Sequence, residues 1–362
     1  MRGAADLARR LLVPTGPGAF RLWLALVVVL HHFTRIEIGK APVLVFFALS
    51  GFWVHRVWNA RYSATRAPWL TFIISRWWRI APVMVLTSVI AMATLIAVRS
   101  PELPAITGQP LRQIASAVFA LGYAQLSERP VGPAWSLDVE MQFYLIAPIL
   151  AQMVRRVSAL AAMLGAMVVF QLGLMFYPEV ALPVFVPFFV LGMVASQHQW
   201  KAPSGSLSGG LLAASVALVV ALQFSPWQGD VLGENGNWSP LFNILIAALA
   251  LPHALASVTR RGDRADAVLA DQSYIVYMMH WPVIVIFRAT DWGSPAQTMA
   301  AAMALCALIG SLSWLVWRHV DVPINRMRQR WVDARRTDAL VSRAQPGVPL
   351  RTKGDDRDRR FA

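Results

Sequence analysis

The stretch GPAWSLDVEMQFYLIAPI, residues 132–149, runs from a Gly-Pro turn into an almost uninterrupted apolar segment. An apolar run bounded by proline, glycine and charge predicts a helix, which we place at 138–154. Crossing about 30 Å of hydrocarbon takes about 20 mostly apolar residues as a helix, because lipid offers no partner for an open backbone. The stretch therefore predicts a membrane helix.

Two carboxylates stand at the start of this helix, where burial without a partner is costly. Ser136 in the N-cap position would put Asp138 in the first turn, where the helix dipole favours an anion. The cap does not explain Glu140, which shares one helix face with Ser136 and Tyr144 at four-residue spacing. Glu140 is thus the carboxylate expected to meet a partner inside the protein, and an intramembrane histidine is a natural one.

The composition places the whole chain in the same class as this stretch. Of its 362 residues, 57% are hydrophobic and 14% charged, and the mean hydropathy is +0.51, outside the usual globular mix. We predict an all-α, polytopic membrane protein with about ten transmembrane helices and one interfacial or re-entrant helix at 111–126. The ten apolar runs lie at 20–36, 42–58, 80–98, 138–154, 157–176, 181–197, 208–224, 240–257, 272–289 and 298–318.

The net charge of +14 would suit a nucleic-acid partner, but the arginines fall between apolar runs and in the C-terminal region. We therefore expect no nucleic acid and read the charge as membrane topology. The basic connections lie on one side if both termini are cytoplasmic, in the plasma membrane or bacterial inner membrane. The predicted regions are a cytoplasmic segment 1–17, a transmembrane domain 18–325, and a basic, disordered cytoplasmic tail 326–362.

The first predicted helix, FRLWLALVVVLHHFTRI, carries an arginine and two histidines. The eleven residues from Arg21 to His32 return the helix to within about 20° of the same face, about 16 Å further along. An intramembrane arginine costs at least about 2.5 kcal/mol, so this face should line a protein interior or wet cavity. His31 points about 80° away. The alternative is a histidine bonded to nearby backbone and an arginine that reaches the headgroups.

Two further stretches place polar residues beside apolar ones. Ser50 and Gly51 interrupt the aromatic run FFALSGF at 46–52, and such a pair permits a close backbone approach or a kink. Arg76 and Arg79 are three residues apart on one helical face, where two guanidiniums can bind phosphate oxygens. Such a pair can equally contact lipid phosphates.

These stretches, in this order, resemble the acyltransferase 3 family of integral-membrane acyltransferases, which modify surface polysaccharides, lipids and exported small molecules. The resemblance covers most of residues 18–325. It rests on Arg21 with His32, FFALSGF at 46–52, RWWRIAP at 76–82, PAWSLDVEMQFYLIAPIL at 133–150 and SYIVYMMHWPV at 273–283. One departure is Asp321, which stands where many relatives carry a glutamate.

The resemblance implies about ten transmembrane helices and O-acyl transfer, commonly O-acetylation, from a coenzyme A thioester on the cytoplasmic side. It makes His32 and Glu140 the candidate catalytic residues. The candidates for binding acyl-CoA are Arg21, Arg76 and Arg79, and the supporting residues are Ser50, Trp135, Ser136 and Tyr144. We expect the lipid bilayer, acyl-CoA with acetyl-CoA first, and a hydroxyl-bearing carbohydrate acceptor as partners, and we expect no metal.

We predict that His32 acts as a general base on the acceptor hydroxyl, or carries the acyl group, while Glu140 orients the imidazole. A transporter or flippase that uses Arg21, His32 and Glu140 as a substrate or proton relay is an alternative, although no inverted repeat favours it. A membrane scaffold would leave these charges without a purpose. Turnover of acyl-CoA by the purified protein separates the first function from the other two.

Overall fold

The computed structural model describes residue 10 and residues 14–34, 36–176, 180–201, 203–233 and 236–344, with side chains as far as residue 336. This part of the chain is built from helices and contains no strand. In chain order its α-helices are α1 (Pro17–Phe33), α2 (Lys40–Ala60), α3 (Pro68–Ala97), α4 (Leu103–Thr107), α5 (Pro110–Phe119), α6 (Trp135–Arg156), α7 (Ala159–Phe176), α8 (Leu182–Gln197), α9 (Gly205–Gln223), α10 (Gln228–Leu232), α11 (Ser239–Thr259), α12 (Arg264–Ala289), α13 (Pro295–Val316) and α14 (Val322–Ala344).

The all-α membrane fold is confirmed, and each of the ten predicted segments coincides with a helix. Within the described ranges, seven helical segments are long and apolar enough to cross a bilayer: α2, α3, α6, α7, α9, α11 and the continuous run Pro295–Arg336. The helices α1 and α8 are apolar but shorter, and α12 does not meet the same criterion. The count of ten spans is therefore not confirmed.

Two helices begin earlier than their hydrophobicity indicates. The helix predicted at 80–98 begins at Pro68, and the helix predicted at 272–289 begins at Arg264. Both early stretches carry charged residues, among them Arg79 and Asp271, which pair with each other, so an apolar window does not mark them. As a consequence, Arg76 and Arg79 lie within α3 rather than at its mouth.

The segment predicted to be interfacial, 111–126, is helical only in α5. This helix has ten residues and ends at Ala120, whose φ of 53° is left-handed. Ten residues rise about 15 Å, which is about half of the hydrocarbon thickness. By length α5 does not cross a bilayer.

The helices α1 and α12 run in the same direction. Asp266 of α12 meets the beginning of α1, where it accepts hydrogen bonds from the backbone N–H groups of Gly18 and Ala19, both at 2.9 Å. At the other end of α1, the rings of Phe33 and Phe287 pack edge to face at 4.9 Å. The two helices are thus aligned along their length, which brings residues of equal depth together.

The helices α2 and α8 cross closely at two glycines. A Cβ atom at Gly51 would meet the carbonyl oxygen of Phe189, and one at Gly192 would meet that of Ala48. These contacts confirm the close backbone approach predicted at Ser50 and Gly51. Small residues allow membrane helices to pack with their backbones this close. The crossing fixes the neighbouring Ser50 in the interior.

The prediction of a disordered tail over 326–362 is wrong for its first part. After α13 the chain passes through a π-helical turn, Trp317–Asp321, and continues as α14 to Ala344. Val332 is fully buried, and Trp331 packs against Trp78 of α3 with ring centroids 6.0 Å apart. Apolar side chains spaced between many charged ones anchor this basic helix. Residues 345–362 lie outside the described ranges.

Candidate active site

Three imidazoles lie together where α1 ends. The His32 ring lies 4.4 Å from the His31 ring, 5.2 Å from the His280 ring and 5.2 Å from the Trp281 ring, measured between centroids. The carbonyl oxygen of His32 accepts a hydrogen bond of 3.2 Å from Arg288. The ring nitrogens of His32 form no hydrogen bond with any described residue. The ring is therefore held by its neighbours while both nitrogens stay free to meet a substrate.

His280 supports His32 and was not singled out from the sequence. It is fully buried in α12, and its Nδ1 lies 3.2 Å from the carbonyl oxygen of Val276. A carbonyl oxygen only accepts, so Nδ1 is the donor and Nε2 of the neutral ring carries the lone pair. Nε2 is buried without a hydrogen-bond partner among the described residues. A buried, unpaired lone pair beside a free imidazole is typical of functional sites.

Tyr277 and Ser136 lie next to this cluster. The Tyr277 ring is 6.1 Å from the His280 ring, and its hydroxyl is 2.7 Å from the Ser136 hydroxyl. Both hydroxyls lie within hydrogen-bond distance of the Pro133 carbonyl oxygen. The predicted N-cap role of Ser136 is wrong, because the residue before the helix is Ala134 and Ser136 lies within the first turn. The side chain instead joins α6 to α12.

Glu140 lies one turn beyond Ser136, in a different environment from His32. Its carboxylate accepts hydrogen bonds from the Ser50 hydroxyl and, at 2.6 Å, from the Tyr144 hydroxyl. No contact joins it to His32, whose ring neighbours are histidines and a tryptophan. The predicted pairing of Glu140 with His32 is therefore wrong. Sequence periodicity placed Glu140 on the inward face but could not set its depth relative to another helix.

Arg21 is the positive charge that faces Glu140. It interacts electrostatically with Glu140 and Asp271, and it is repelled by Arg79. Its Nε is buried and has no hydrogen-bond partner within the described ranges. The expectation that an arginine on this face lines a protein interior is confirmed.

Arg76 is held by aromatic rings. Its guanidinium lies 5.3 Å from the centroid of Phe72, 5.5 Å from Tyr62 and 5.7 Å from Tyr144. Such cation–π contacts are worth about 0.5–2 kcal/mol each, more where water is excluded. Tyr144 thereby connects Arg76 to Glu140.

Arg79 belongs to a partly buried ion-pair cluster. It donates a 3.1 Å hydrogen bond to Asp271 of α12, and it lies 3.8 Å from Asp321 of the π-helical turn. At 3.8 Å the second contact is an ion pair rather than a hydrogen bond, and the same Asp321 oxygen has no hydrogen-bond partner among the described residues. Two carboxylates already neutralise Arg79, so it is less available to a phosphate than its position in the sequence indicates.

A further arginine enters from the helix predicted to be a tail. Arg328 of α14 is 9% exposed, and it donates hydrogen bonds to the hydroxyl of Ser75 at 2.8 Å and to the Asn325 side chain at 2.6 Å. Ser75 in turn lies 2.7 Å from the Tyr62 hydroxyl. Together Arg21, Arg76, Arg79 and Arg328 form what we call the arginine cluster.

Trp135 and Asp138 have structural surroundings. Trp135 packs against Phe47 and Phe185, with ring centroids at 6.4 and 5.6 Å. Asp138 lies in the first turn of α6, as predicted, and is fully buried. It accepts hydrogen bonds from the Ala124 backbone N–H at 2.8 Å and from Gln142 at 2.9 Å, so it also holds the preceding loop.

The polar residues thus follow α12 from one end of the site to the other, and we call this series the polar column. Asp271, Tyr274, Tyr277 and His280 recur at three-residue spacing, so their side chains turn gradually around the helix, and the nine residues from Asp271 to His280 rise about 14 Å. The arginine cluster and Glu140 lie toward one end, and the histidines lie at the other. No group of three or more metal-ligating side chains suited to a metal ion occurs in the part of the chain that the structure describes.

Comparison with known proteins agrees with this arrangement. The profile of the acyltransferase 3 family, described as "Acyltransferase domain", matches residues 16–318. The chain belongs to the acyltransferase 3 family. It is similar to acyltransferase MdmB of Streptomyces mycarofaciens, with 26% identity over 352 residues that cover 83% of this chain and 84% of the relative. No solved structure matches the chain. The protein is thus a membrane-embedded O-acyltransferase.

Several site residues of this acyltransferase escaped sequence reasoning. Tyr277 and His280 could have been found, because two polar residues three positions apart in an apolar run are neighbours on the helix surface. Arg328 could not have been found in this way, because it is one of many charged residues in a basic segment. It also lies beyond the residues that the family profile matches.

Proposed function

We propose that this acyltransferase moves an acyl group, acetyl in the simplest case, from an acyl-CoA to a hydroxyl of a sugar, surface polysaccharide, lipid or exported small molecule. The observation that supports this most is the His32 ring, which neighbouring rings hold in place and whose nitrogens are free. A positioned imidazole of this kind is the commonest general base in proteins.

In the proposed reaction, one ring nitrogen of His32 accepts the proton of the acceptor hydroxyl. The hydroxyl oxygen then forms a bond to the thioester carbonyl carbon, and the carbon–sulfur bond breaks. The coenzyme A thiolate leaves and takes up the proton from the imidazolium, so His32 returns to its neutral form. His280, His31 and Trp281 hold the ring during these steps.

The arginine cluster supports the choice of an extended anionic donor. Along α1, Arg21 and His32 are about 16 Å apart, so one molecule can meet both only if its charged part and its reacting carbonyl are well separated. Acyl-CoA has this form. We further propose that the arginine end faces the cytoplasm, that both termini lie on that side, and that the membrane is the bacterial inner membrane, as the loop arginines indicate.

We assign Glu140 a positioning role instead of the predicted contact with His32. Its carboxylate balances the charge of Arg21 and fixes the hydroxyls of Ser50 and Tyr144, and Tyr144 contacts Arg76. Through these contacts Glu140 would keep the arginine side of the column in a defined geometry.

The test combines purified protein and cells. Mass spectrometry of surface glycans and lipids, with and without the gene, should reveal an acyl mass that is lost with the gene. The acceptor identified in this way is then supplied to the purified protein with acetyl-CoA. If wild type and His32→Ala transfer the acyl group at equal rates, the proposed mechanism is wrong.

A further inference from the structure

A wide groove lies where α3 begins and α6 ends. It has a volume of about 810 Å³ and is lined on these helices and the end of α2 by residues that include Trp58, Trp69, Gln152, Arg155 and Arg156. Small-molecule sites commonly measure about 300–1,000 Å³. We call this space the α3–α6 groove.

The lining of the groove combines positive charge with a fixed aromatic surface. Arg155 and Arg156 stand exposed in the last turn of α6, and neither forms an ion pair with a described residue. The Trp69 indole donates a 3.1 Å hydrogen bond to the Leu145 carbonyl oxygen, which fixes the ring while 51% of the residue stays exposed. Guanidiniums bind phosphate oxygens and a fixed indole offers a face for a planar ring.

The groove adjoins the arginine cluster through a wall of aromatic rings. Trp58 is buried at the groove and packs on Phe72, with ring centroids 5.6 Å apart. Phe72 lies directly beneath the Arg76 guanidinium, at 5.3 Å. The space is therefore one aromatic layer away from the buried polar column.

The arginine cluster is less open to a nucleotide than the groove is. Arg79 is paired with two carboxylates and Arg76 is enclosed by rings, whereas Arg155 and Arg156 are exposed to the groove. Coenzyme A carries several phosphates and an adenine ring at one end, and a thioester at the far end of a flexible arm. An anionic, ring-bearing end needs room, cations and an aromatic face, and the groove supplies all three.

We infer that the α3–α6 groove binds the nucleotide end of the acyl-CoA, with the phosphates on Arg155 and Arg156 and the adenine on Trp69. This inference rests on the proposed acyl-CoA donor. The arm of the molecule then passes the Arg76 layer toward His32. An anionic lipid headgroup shares the phosphate chemistry, but it lacks a ring for Trp69.

The experiment measures binding rather than turnover, so it needs no acceptor. Calorimetry on purified protein gives the Kd of coenzyme A and of pantetheine, which lacks the nucleotide. In Arg155→Gln/Arg156→Gln and in Trp69→Leu, the Kd of coenzyme A should rise about tenfold or more, since charged hydrogen bonds and ring contacts are lost. Binding of pantetheine should not change. The matched control, Arg261→Gln/Arg264→Gln, removes two exposed arginines elsewhere and should bind coenzyme A as wild type does.

Three results would overturn the inference. Equal Kd values of coenzyme A in wild type and variants would exclude the α3–α6 groove as the binding site of the nucleotide end. An equal loss of pantetheine binding would show general damage to the site rather than loss of nucleotide contacts. Unchanged coenzyme A binding with a lost response to phosphatidylglycerol vesicles, compared with phosphatidylcholine vesicles, would assign the groove to lipid.

The two proposals fail in different ways. If wild type binds coenzyme A and the groove variants do not, the groove is supported even when no acyl transfer is detected, and only the proposed function fails. If transfer proceeds equally well in wild type and groove variants at limiting acetyl-CoA, the proposed function stands and the groove fails.

Discussion

The two ends of the buried polar column are built differently. Around Glu140 and the arginine cluster, hydrogen bonds, ion pairs and aromatic faces offset most of the charge, although Nε of Arg21 and of Arg76 and one Asp321 oxygen have no hydrogen-bond partner among the described residues. At the other end, His32 is held by ring contacts and by its backbone, and its nitrogens have no partner among the described residues. We call the first end saturated, because its charges are balanced by neighbouring groups, and it resembles a structural support. We call the second end unsaturated, because the His32 nitrogens can still accept a proton.

Because of this difference, substitutions at the two ends should affect function and stability separately. Removing a group from the saturated end leaves a buried charge uncompensated, so stability should fall. Removing the His32 ring leaves no charge behind and should affect the rate instead.

The largest effect is expected from His32→Ala. Proton transfer by a positioned side chain contributes about 10²–10⁴ in rate, so kcat should fall by that factor while the melting temperature stays close to that of wild type. Steady-state kinetics and thermal unfolding in detergent give both values. His198→Ala, which alters an exposed histidine at the end of α8, is the control and should keep full activity. If His32→Ala failed to fold, His32 would be a structural residue, and the contrast between the two ends of the column would be wrong.

The saturated end is tested by Asp271→Asn. The substitution weakens a 3.1 Å charged hydrogen bond to Arg79, and bonds of this kind are worth about 1.5–3 kcal/mol. We expect a clear drop in melting temperature. Asp333→Asn weakens the more exposed pair with Arg61 and should cost less than about 1 kcal/mol. Equal losses in the two variants would contradict the view that the arginine cluster is a buried support.

A smaller effect should follow from Gly132→Ala. The added carbon would lie 2.6 Å from the Trp281 ring, which packs against His32, so the ring must shift. Misplacing a catalytic group costs rate steeply, and we expect about a tenfold lower kcat. Gly165→Ala on α7 meets nothing within 4 Å and serves as the control. Unchanged kcat in Gly132→Ala would show that Trp281 does not position His32.

The smallest effect concerns an exposed pair outside the column. The hydrogen bond from Arg10, together with that from the Asp266 backbone N–H, lowers the pKa of Asp263 from 3.8 to about 2. A lowered pKa adds stability above about pH 4 that is lost as the pH falls toward 2. The stability difference between wild type and Asp263→Asn should therefore shrink on acidification, as thermal unfolding at several pH values can show. A constant difference would mean that the charge of Asp263 does not matter.

Much of the architecture follows from the sequence alone. Apolar runs located every one of the ten predicted helices, because lipid requires each crossing backbone to satisfy its own hydrogen bonds. Eleven-residue spacing on α1 and four-residue spacing on α6 correctly turned Arg21 and Glu140 inward. These inferences hold because helical periodicity is a local property.

The sequence failed where depth and partners had to be known. Whether Glu140 meets His32 or Tyr144 depends on how α6 is offset against α1, and hydropathy does not record this offset. The early turns of α3 and α12 were missed because they carry charged residues such as Arg79 and Asp271, which pair across the two helices. The helix α14 was missed because its few anchoring apolar side chains are spaced between many charged ones.

Local composition and spacing are enough to predict the all-α membrane fold, the family resemblance and the inward faces of the first and sixth helices. The packed helices alone show that His32 lies beside His280, that Arg79 lies between Asp271 and Asp321, and that Arg328 reaches Ser75. Those contacts join residues far apart in the chain, and their geometry arises only when the helices pack.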